Sequence, residues 1–155
     1  MYKQERVGKE EKIFEIYKFR TMVQDAEKQT GPVWAQENDH RVTSIGKILR
    51  RSRLDEIPQL LNILKGEMSL VGPRPERLYF VEKLNDEMPT YWERIKVKPG
   101  LTGMAQVEHS YDRSLDDVKI KLEHDLYYME NASLKLDLTI LLKTVLVMLK
   151  GRGAQ

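Results

Sequence analysis

The chain contains no cysteine in its 155 residues, which excludes a disulfide framework, a thiolate metal centre and a cysteine nucleophile and suits a reducing compartment. It also has almost no net charge: Lys+Arg number 26 against 24 Asp+Glu, leaving +2. Bulk nucleic-acid affinity rests on a strong basic excess, so nucleic acid is not an expected partner. A long hydrophobic run is missing too. The most apolar stretch, Leu134 to Leu149, carries Lys135, Asp137 and Lys143 and falls short of the roughly 20 residues a spanning helix needs. Met1 to Arg6 is polar with no apolar stretch behind it, unlike a signal peptide. The chain is therefore not expected to cross a bilayer, although it can lie on one. What is present is the composition of an ordinary folded protein, 41% hydrophobic and 32% charged, and residues 1–155 read as one domain with a real core.

Periodicity predicts an α+β domain, mainly helical with a small N-terminal β-hairpin. Gln4–Val7 and Lys12–Met22 form the arms around a turn at Gly8–Glu11, since Ile13 to Arg20 alternates apolar and polar residues. A short helix is expected over Val23–Gln29, followed by a polar loop over Thr30–Arg41. Ile45, Ile48 and Leu49 mark a helix over Thr43–Arg51. A second helix is expected from an Asp55 N-cap to Lys65, with Leu60, Leu61 and Leu64 inward, Gly66 ending it and Pro58 at its third position. A Ser52 cap would instead put Pro58 inside the helix, where it breaks a hydrogen bond. Met68–Pro75 reads as a loop, Glu76–Arg94 as a helix interrupted near Pro89, Pro99–Gly103 as a turn and Met104–Val107 as a strand. Leu115–Glu130 and Leu134–Lys150 are the last two helices, with Ser133 a candidate N-cap.

Several polar residues can carry chemistry, and each has a plain structural alternative. Asp55 and Glu56 open a helix behind the basic run Arg50-Arg51-Ser52-Arg53. Neighbouring helical positions point about 100° apart, so the two carboxylates are free to take different roles. The helix dipole and the arginines favour an ionised Asp55, suited to attack on phosphorus, beside a Glu56 suited to magnesium. The alternative is an N-cap followed by a surface acid. Arg74 between two prolines is either a stiffly held diphosphate ligand or a turn arginine. Lys18 and Arg20 share one strand face and contact either phosphate or solvent. Asp137, a charge among leucines, belongs to a site, an ion pair or a wet stripe. His40, His109 and His124 lack metal-ligand spacing and read as solvated.

The ordered motifs Lys18-Phe19-Arg20-Thr21-Met22, Leu54-Asp55-Glu56-Ile57-Pro58-Gln59, Met68-Ser69-Leu70-Val71-Gly72-Pro73-Arg74-Pro75 and Lys98-Pro99-Gly100-Leu101-Thr102-Gly103 run through nearly the whole chain. In this the chain resembles the bacterial sugar transferase family, the monotopic phosphoglycosyl transferases that prime exopolysaccharide, O-antigen and glycan assembly. The resemblance implies transfer of a hexose-1-phosphate from a UDP-sugar to polyprenyl (undecaprenyl) phosphate in two steps. Asp55 would attack the β-phosphate and release UMP, and the lipid phosphate would then take the phosphosugar from Asp55. It further implies Glu56 as ligand of a Mg2+ cofactor, and Lys18, Arg20, Arg50, Arg74 and Asp137 as substrate-binding positions. The implied location is the cytoplasmic face of a bacterial inner membrane, and the implied identity is a membrane-surface catalytic domain of a longer protein.

Two departures limit the likeness. No membrane re-entrant helix precedes the hairpin, and Met104 and Glu108-His109-Ser110 stand where many members carry tryptophan and Asn-Gly-Arg. The carboxy-terminal stretch is more similar to hexose-type members, favouring UDP-glucose or UDP-galactose. A non-catalytic UDP-sugar-binding membrane module and a nucleotide-sugar hydrolase are the rival readings.

Overall fold

The alternation of Ile13–Lys18 produces a hairpin. The computed structural model describes residues 1–27, 31, 39–109 and 114–149. Strand β1 (Tyr2–Val7) pairs antiparallel with β2 (Ile13–Lys18), Tyr2 opposite Lys18 and Val7 opposite Ile13. Phe14 and Ile16 are buried, Ile13 and Glu15 exposed. The second arm stops at Lys18 rather than Met22, because Met22 leaves the hairpin to bridge Val42. Residues 24–27 form a turn where the short helix was expected, and most of the expected polar loop lies outside the described residues.

The next two helices carry their apolar side chains outward. Helix α1 (Ser44–Arg51) starts where the Thr43 hydroxyl accepts from the Gly46 N–H at 3.0 Å. Its buried residue is Gly46, where a Cβ would lie 2.0 Å from the Thr21 carbonyl oxygen. Glycine lets the helix lie directly on the Thr21 backbone, and Ile45 and Ile48 remain exposed.

The single helix expected from Asp55 to Lys65 is instead a 3-10 turn, Leu54–Gln59, followed by a short α2, Leu60–Leu64. Pro58 lies inside the 3-10 turn, and the cap position belongs to Arg53, in the left-handed region at φ 56°, rather than to Asp55. Leu60, Leu61 and Leu64, expected inward, are 45%, 45% and 83% exposed, whereas Asp55, Glu56, Pro58, Gln59 and Asn62 are buried. Asn62 supplies the physical reason. Its side chain accepts from the Tyr17 N–H at 3.1 Å and donates to the Glu15 carbonyl at 2.7 Å and to Glu67 at 2.8 Å. The amide thus occupies the free edge of β2 as a further strand would, and this turns the leucines away.

A second strand pair replaces an expected loop and turn. Strands β3 (Ser69–Val71) and β4 (Gly100–Thr102) run parallel, Ser69 beside Gly100 and Val71 beside Thr102. A Cβ on Gly100 would meet the Gly72 nitrogen at 2.2 Å, so the two backbones touch only because both residues are glycine. Met104–Val107, expected as a strand, lies instead in helix α4 (Met104–Glu108). Helix α3 (Leu78–Glu87) gives way to a 3-10 segment, Pro89–Lys96, where the proline was expected to interrupt. Helix α5 (Leu115–Asn131) opens with a Ser114–Asp117 capping box, and in α6 (Leu134–Leu149) the Leu136 N–H donates to the Ser133 hydroxyl.

The core is divided. Val7, Phe80, Val81, Leu84, Met88, Tyr91, Val118 and Leu122 join the hairpin end to α3, the 3-10 segment and α5. Phe14, Ile16 and Met68 pack under the hairpin, and Val71, Tyr128 and Ile140 join β3 to α5 and α6. The chain is mostly helical with a small N-terminal antiparallel pair. Among the described residues no helix is long and apolar enough to cross a membrane.

Candidate active site

The end of β2 and the start of the 3-10 turn are joined by backbone: the Phe19 N–H donates to the Asp55 carbonyl at 2.9 Å. That bond brings Lys18 against the acid pair. Lys18 Nζ donates to Glu56 Oε1 at 3.1 Å, and Arg74 Nη2 donates to the same oxygen at 2.6 Å. Arg53 Nη1 stands 3.7 Å from Glu56 Oε2. One buried carboxylate therefore gathers cations from the hairpin, the 3-10 turn and the Pro73–Pro75 loop. Arg50 donates from Nε to the Thr21 hydroxyl at 2.9 Å, and Asp55 is among the charges acting on it.

Asp55 is also buried, but no hydrogen bond or ion pair engages its carboxylate among the described residues. The neighbours thus have different surroundings. Burial by itself would raise the Glu56 pKa, but Arg74, Lys18 and Arg53 overcome it and hold the group well below the usual carboxylate range. Burial and the Glu56 charge push Asp55 up, against the pull of Lys18, Arg50 and Arg74. A free, more basic carboxylate beside a neutralised one suits a nucleophile set in a cationic cage. The sequence suggested a strongly ionised Asp55 at a helix dipole; the shift has the opposite sign, because desolvation dominates and the 3-10 turn gives no long helix. Burial also lowers the Lys18 pKa to about 8, opposed by Glu56 and reinforced by Arg74.

The other expected site residues are placed elsewhere. Arg20 is exposed, its guanidinium 5.8 Å from the centre of the Tyr2 ring. Asp137 accepts from the Tyr128 hydroxyl at 2.9 Å, where α5 meets α6. His109 contacts Asp117 at 3.0 Å. Sequence reasoning missed Arg53 and Asn62. Arg53 stands three residues before Glu56, and Asn62 interrupts a run of leucines; either spacing was a usable signal.

The magnesium that the family implies has a partial donor set here. Among the described residues no group of three or more His, Cys, Asp or Glu side chains could hold a metal. Asp55 and Glu56 supply carboxylates, but Glu56 is already neutralised by Lys18, Arg53 and Arg74. Magnesium is commonly held by one or two carboxylates together with substrate phosphates. The residues fit an ion held jointly with a diphosphate, and not one held by protein alone.

Comparison with known proteins places the chain in a family. The model of the family described as bacterial sugar transferase matches residues 1–151. A protein of Aeromonas hydrophila named UDP-N-acetylgalactosamine-undecaprenyl-phosphate N-acetylgalactosaminephosphotransferase is 51% identical over 155 residues, 100% of this chain and 36% of its own length. An undecaprenyl-phosphate galactose phosphotransferase of Salmonella typhimurium is 38% identical over 99% of this chain and 34% of its own. A UDP-glucose:undecaprenyl-phosphate glucose-1-phosphate transferase of Klebsiella pneumoniae is 40% identical over 94% of this chain and 31% of its own. The chain thus spans about a third of the length of these relatives. With its motifs in order and its residues matched almost end to end, the chain belongs to the bacterial sugar transferase family.

Proposed function

We propose that this chain carries the catalytic machinery for moving a sugar-1-phosphate from a UDP-sugar to undecaprenyl phosphate through an aspartyl intermediate. The observation that carries the proposal is the unequal acid pair: Glu56 holds Lys18 and Arg74, while Asp55 beside it is buried and its carboxylate is unengaged among the described residues. An Asp55 oxygen attacks the β-phosphorus of the donor, and the bond from that phosphorus to the bridging oxygen breaks. UMP leaves with the electron pair, and the phosphosugar remains on Asp55. An oxygen of the lipid phosphate then attacks the same phosphorus, the bond to Asp55 breaks, and the carboxylate is restored. Lys18, Arg53 and Arg74 are positioned to pass from Glu56 to the diphosphate, offsetting its charge in both steps. Asp55 and Glu56 would hold Mg2+ together with the diphosphate, where it supplies Lewis-acid charge stabilisation.

The donor reading extends the names of the relatives, which include N-acetylgalactosamine, galactose and glucose. A panel of those UDP-sugars tests the preference for UDP-glucose or UDP-galactose. A membrane-surface location is supported by the outward apolar side chains Ile45, Ile48, Leu61 and Leu64, and by Leu134, Leu138, Leu142, Val145, Leu146 and Leu149 along α6. Of the basic residues near that helix, Lys143 is ion-paired to Glu108, and Lys150 and Arg152 lie outside the described residues.

The deciding experiment incubates the protein with UDP-sugar in the absence of lipid, quenches it and reads the intact mass. A gain of one phosphosugar, mapped to Asp55, is the expected result. Lipid product in a parallel incubation with undecaprenyl phosphate, with no such species in the lipid-free arm, would overturn the aspartyl route, and free sugar phosphate as the sole product would point to a hydrolase.

A further inference from the structure

Arg74 sits in a loop that cannot be held in the usual way. Pro73 and Pro75 have no N–H, so the loop offers the rest of the protein mainly its carbonyl oxygens. Four consecutive carbonyls are captured. The Gly100 N–H donates to Pro73 O at 2.9 Å, and the Val7 N–H donates to Glu76 O at 2.8 Å. Between them, Arg94 Nη2 donates to Arg74 O at 3.0 Å and Arg6 Nη1 donates to Pro75 O at 3.3 Å. Two of these holds are backbone, and two are guanidinium groups, Arg94 buried and Arg6 half-buried.

Arg94 is itself fixed. Its Nη2 lies 2.7 Å from Asp125 Oδ2, on a carboxylate 2% exposed in α5. Its Nη1 donates to the Tyr91 hydroxyl, and its guanidinium lies 4.9 Å from the centre of that ring. Placing an arginine and an aspartate in the interior costs stability that well-packed apolar side chains would not. Packing alone does not call for the pair, and one of its few hydrogen bonds is given to the backbone of Arg74. We propose that Arg94, anchored by Asp125, is a positioning residue: it fixes the Arg74 backbone so that the Arg74 guanidinium meets Glu56 and the donor diphosphate. Arg6 assists from the hairpin side. The chain of contact runs from α5 through Arg94 and the Arg74 carbonyl to the site, without Arg94 touching substrate.

This inference rests on the reading of Arg74 as a diphosphate ligand, and a double-mutant cycle separates it from a purely structural role. The probe is UDP, titrated calorimetrically into the full chain in magnesium buffer, with folding checked by circular dichroism. Arg94→Lys keeps a cation for Asp125 but cannot span Asp125, Tyr91 and the Arg74 carbonyl together. It should weaken UDP binding about ten- to a hundredfold, the scale of a misplacement of about 1 Å. In an Arg74→Ala background the same change should have little further effect, because its route to the ligand is gone. Losses that add in the double variant, or normal UDP affinity in folded Arg94→Lys, would overturn the inference.

Should Arg94→Lys fail to fold, Tyr91→Phe removes a single hydroxyl acceptor and carries the same cycle, with a smaller loss expected. If wild-type protein does not bind UDP, the proposed function is what fails. The positioning claim is then read from solvent exchange of the Arg74 guanidinium protons by nitrogen-15 NMR. That exchange should speed up in the Arg94 or Tyr91 variant, and unchanged exchange would overturn the claim.

Discussion

The segment from Thr43 to Leu64 and the segment from Leu78 to Asn131 solve opposite problems. In the second, α3 and α5 bury Phe80, Val81, Leu84, Val118 and Leu122 and, apart from the Asp125 that holds Arg94, present charge to solvent, as amphipathic helices do. In the first, the order is inverted: Gly46, Asp55, Glu56, Gln59 and Asn62 are buried, and Ile45, Ile48, Leu60, Leu61 and Leu64 are exposed. A chain that only needed to fold would not bury two adjacent carboxylates and turn the neighbouring run of leucines outward. The inversion marks where folding has been subordinated to a charged site on one side and an apolar surface on the other.

The sharpest test of the inverted region is Asp55→Asn. It should cut both UMP release and lipid product by at least about a thousandfold, since an amide is a poor nucleophile and this step has no substitute. Product formation near the wild-type rate would end the account of the acid pair. Arg74→Lys comes next. It should weaken UDP affinity by about ten- to a hundredfold, nearly as much as Arg74→Ala, because charge-assisted bonds from a guanidinium fork contribute roughly 1.5–3 kcal/mol and an ammonium does not reproduce the fork. Restored affinity in the lysine variant would reduce Arg74 to a bare charge.

In the ordinary region, Leu84→Ala should cost about 2–5 kcal/mol in chemical denaturation through the cavity it leaves. By contrast, Leu64→Ser should shift stability by no more than about 0.5 kcal/mol while lowering retention on anionic vesicles. A large stability loss for Leu64→Ser would mean that this face is covered by the protein itself. The mildest effect is set by pH. Lys18 has its pKa lowered to about 8, so the free protein loses this cation as pH rises through 8, and kcat/KM for the donor should fall there. The stability sign is opposite: between about 8 and the ordinary lysine value the unfolded chain binds the extra proton, so the Lys18 contribution makes stability rise with pH. Lys18→Arg should remove the alkaline limb from the activity profile, and a limb unchanged in that variant would assign it to another group.

The same contrast explains what was legible in the sequence. The hairpin, α3, α5 and α6 could be read from their apolar periodicity, and α1 lies where Ile45 and Ile48 marked it although both are exposed, while the caps Thr43 and Ser114 were not foreseen. The stretch from Asp55 to Lys65 was misread because leucines at helical spacing were taken to face a core, whereas Asn62 docks on the open edge of β2. The pairing of β3 with β4 escaped notice because three-residue strands carry no period, and the Gly72–Gly100 contact joins residues far apart in the chain. At the site, the motifs named Lys18, Asp55, Glu56 and Arg74. Spacing could suggest Arg53, three residues before Glu56, but no spacing rule could show that Lys18 and Arg74 converge on the same carboxylate, nor that Asp137 would be taken by Tyr128.

Glu56, already holding its cations, has a consequence for selectivity among anions. It acts as a tethered competitor, present at the high effective concentration that covalent attachment gives. A lone chloride, sulfate or phosphate ion must win Lys18 and Arg74 from a carboxylate that never diffuses away. Under the proposed function, a diphosphate would engage both cations at once and pull them off together. On that reading the site would be insulated from the simple anions of its surroundings and would open its charge to a chelating guest.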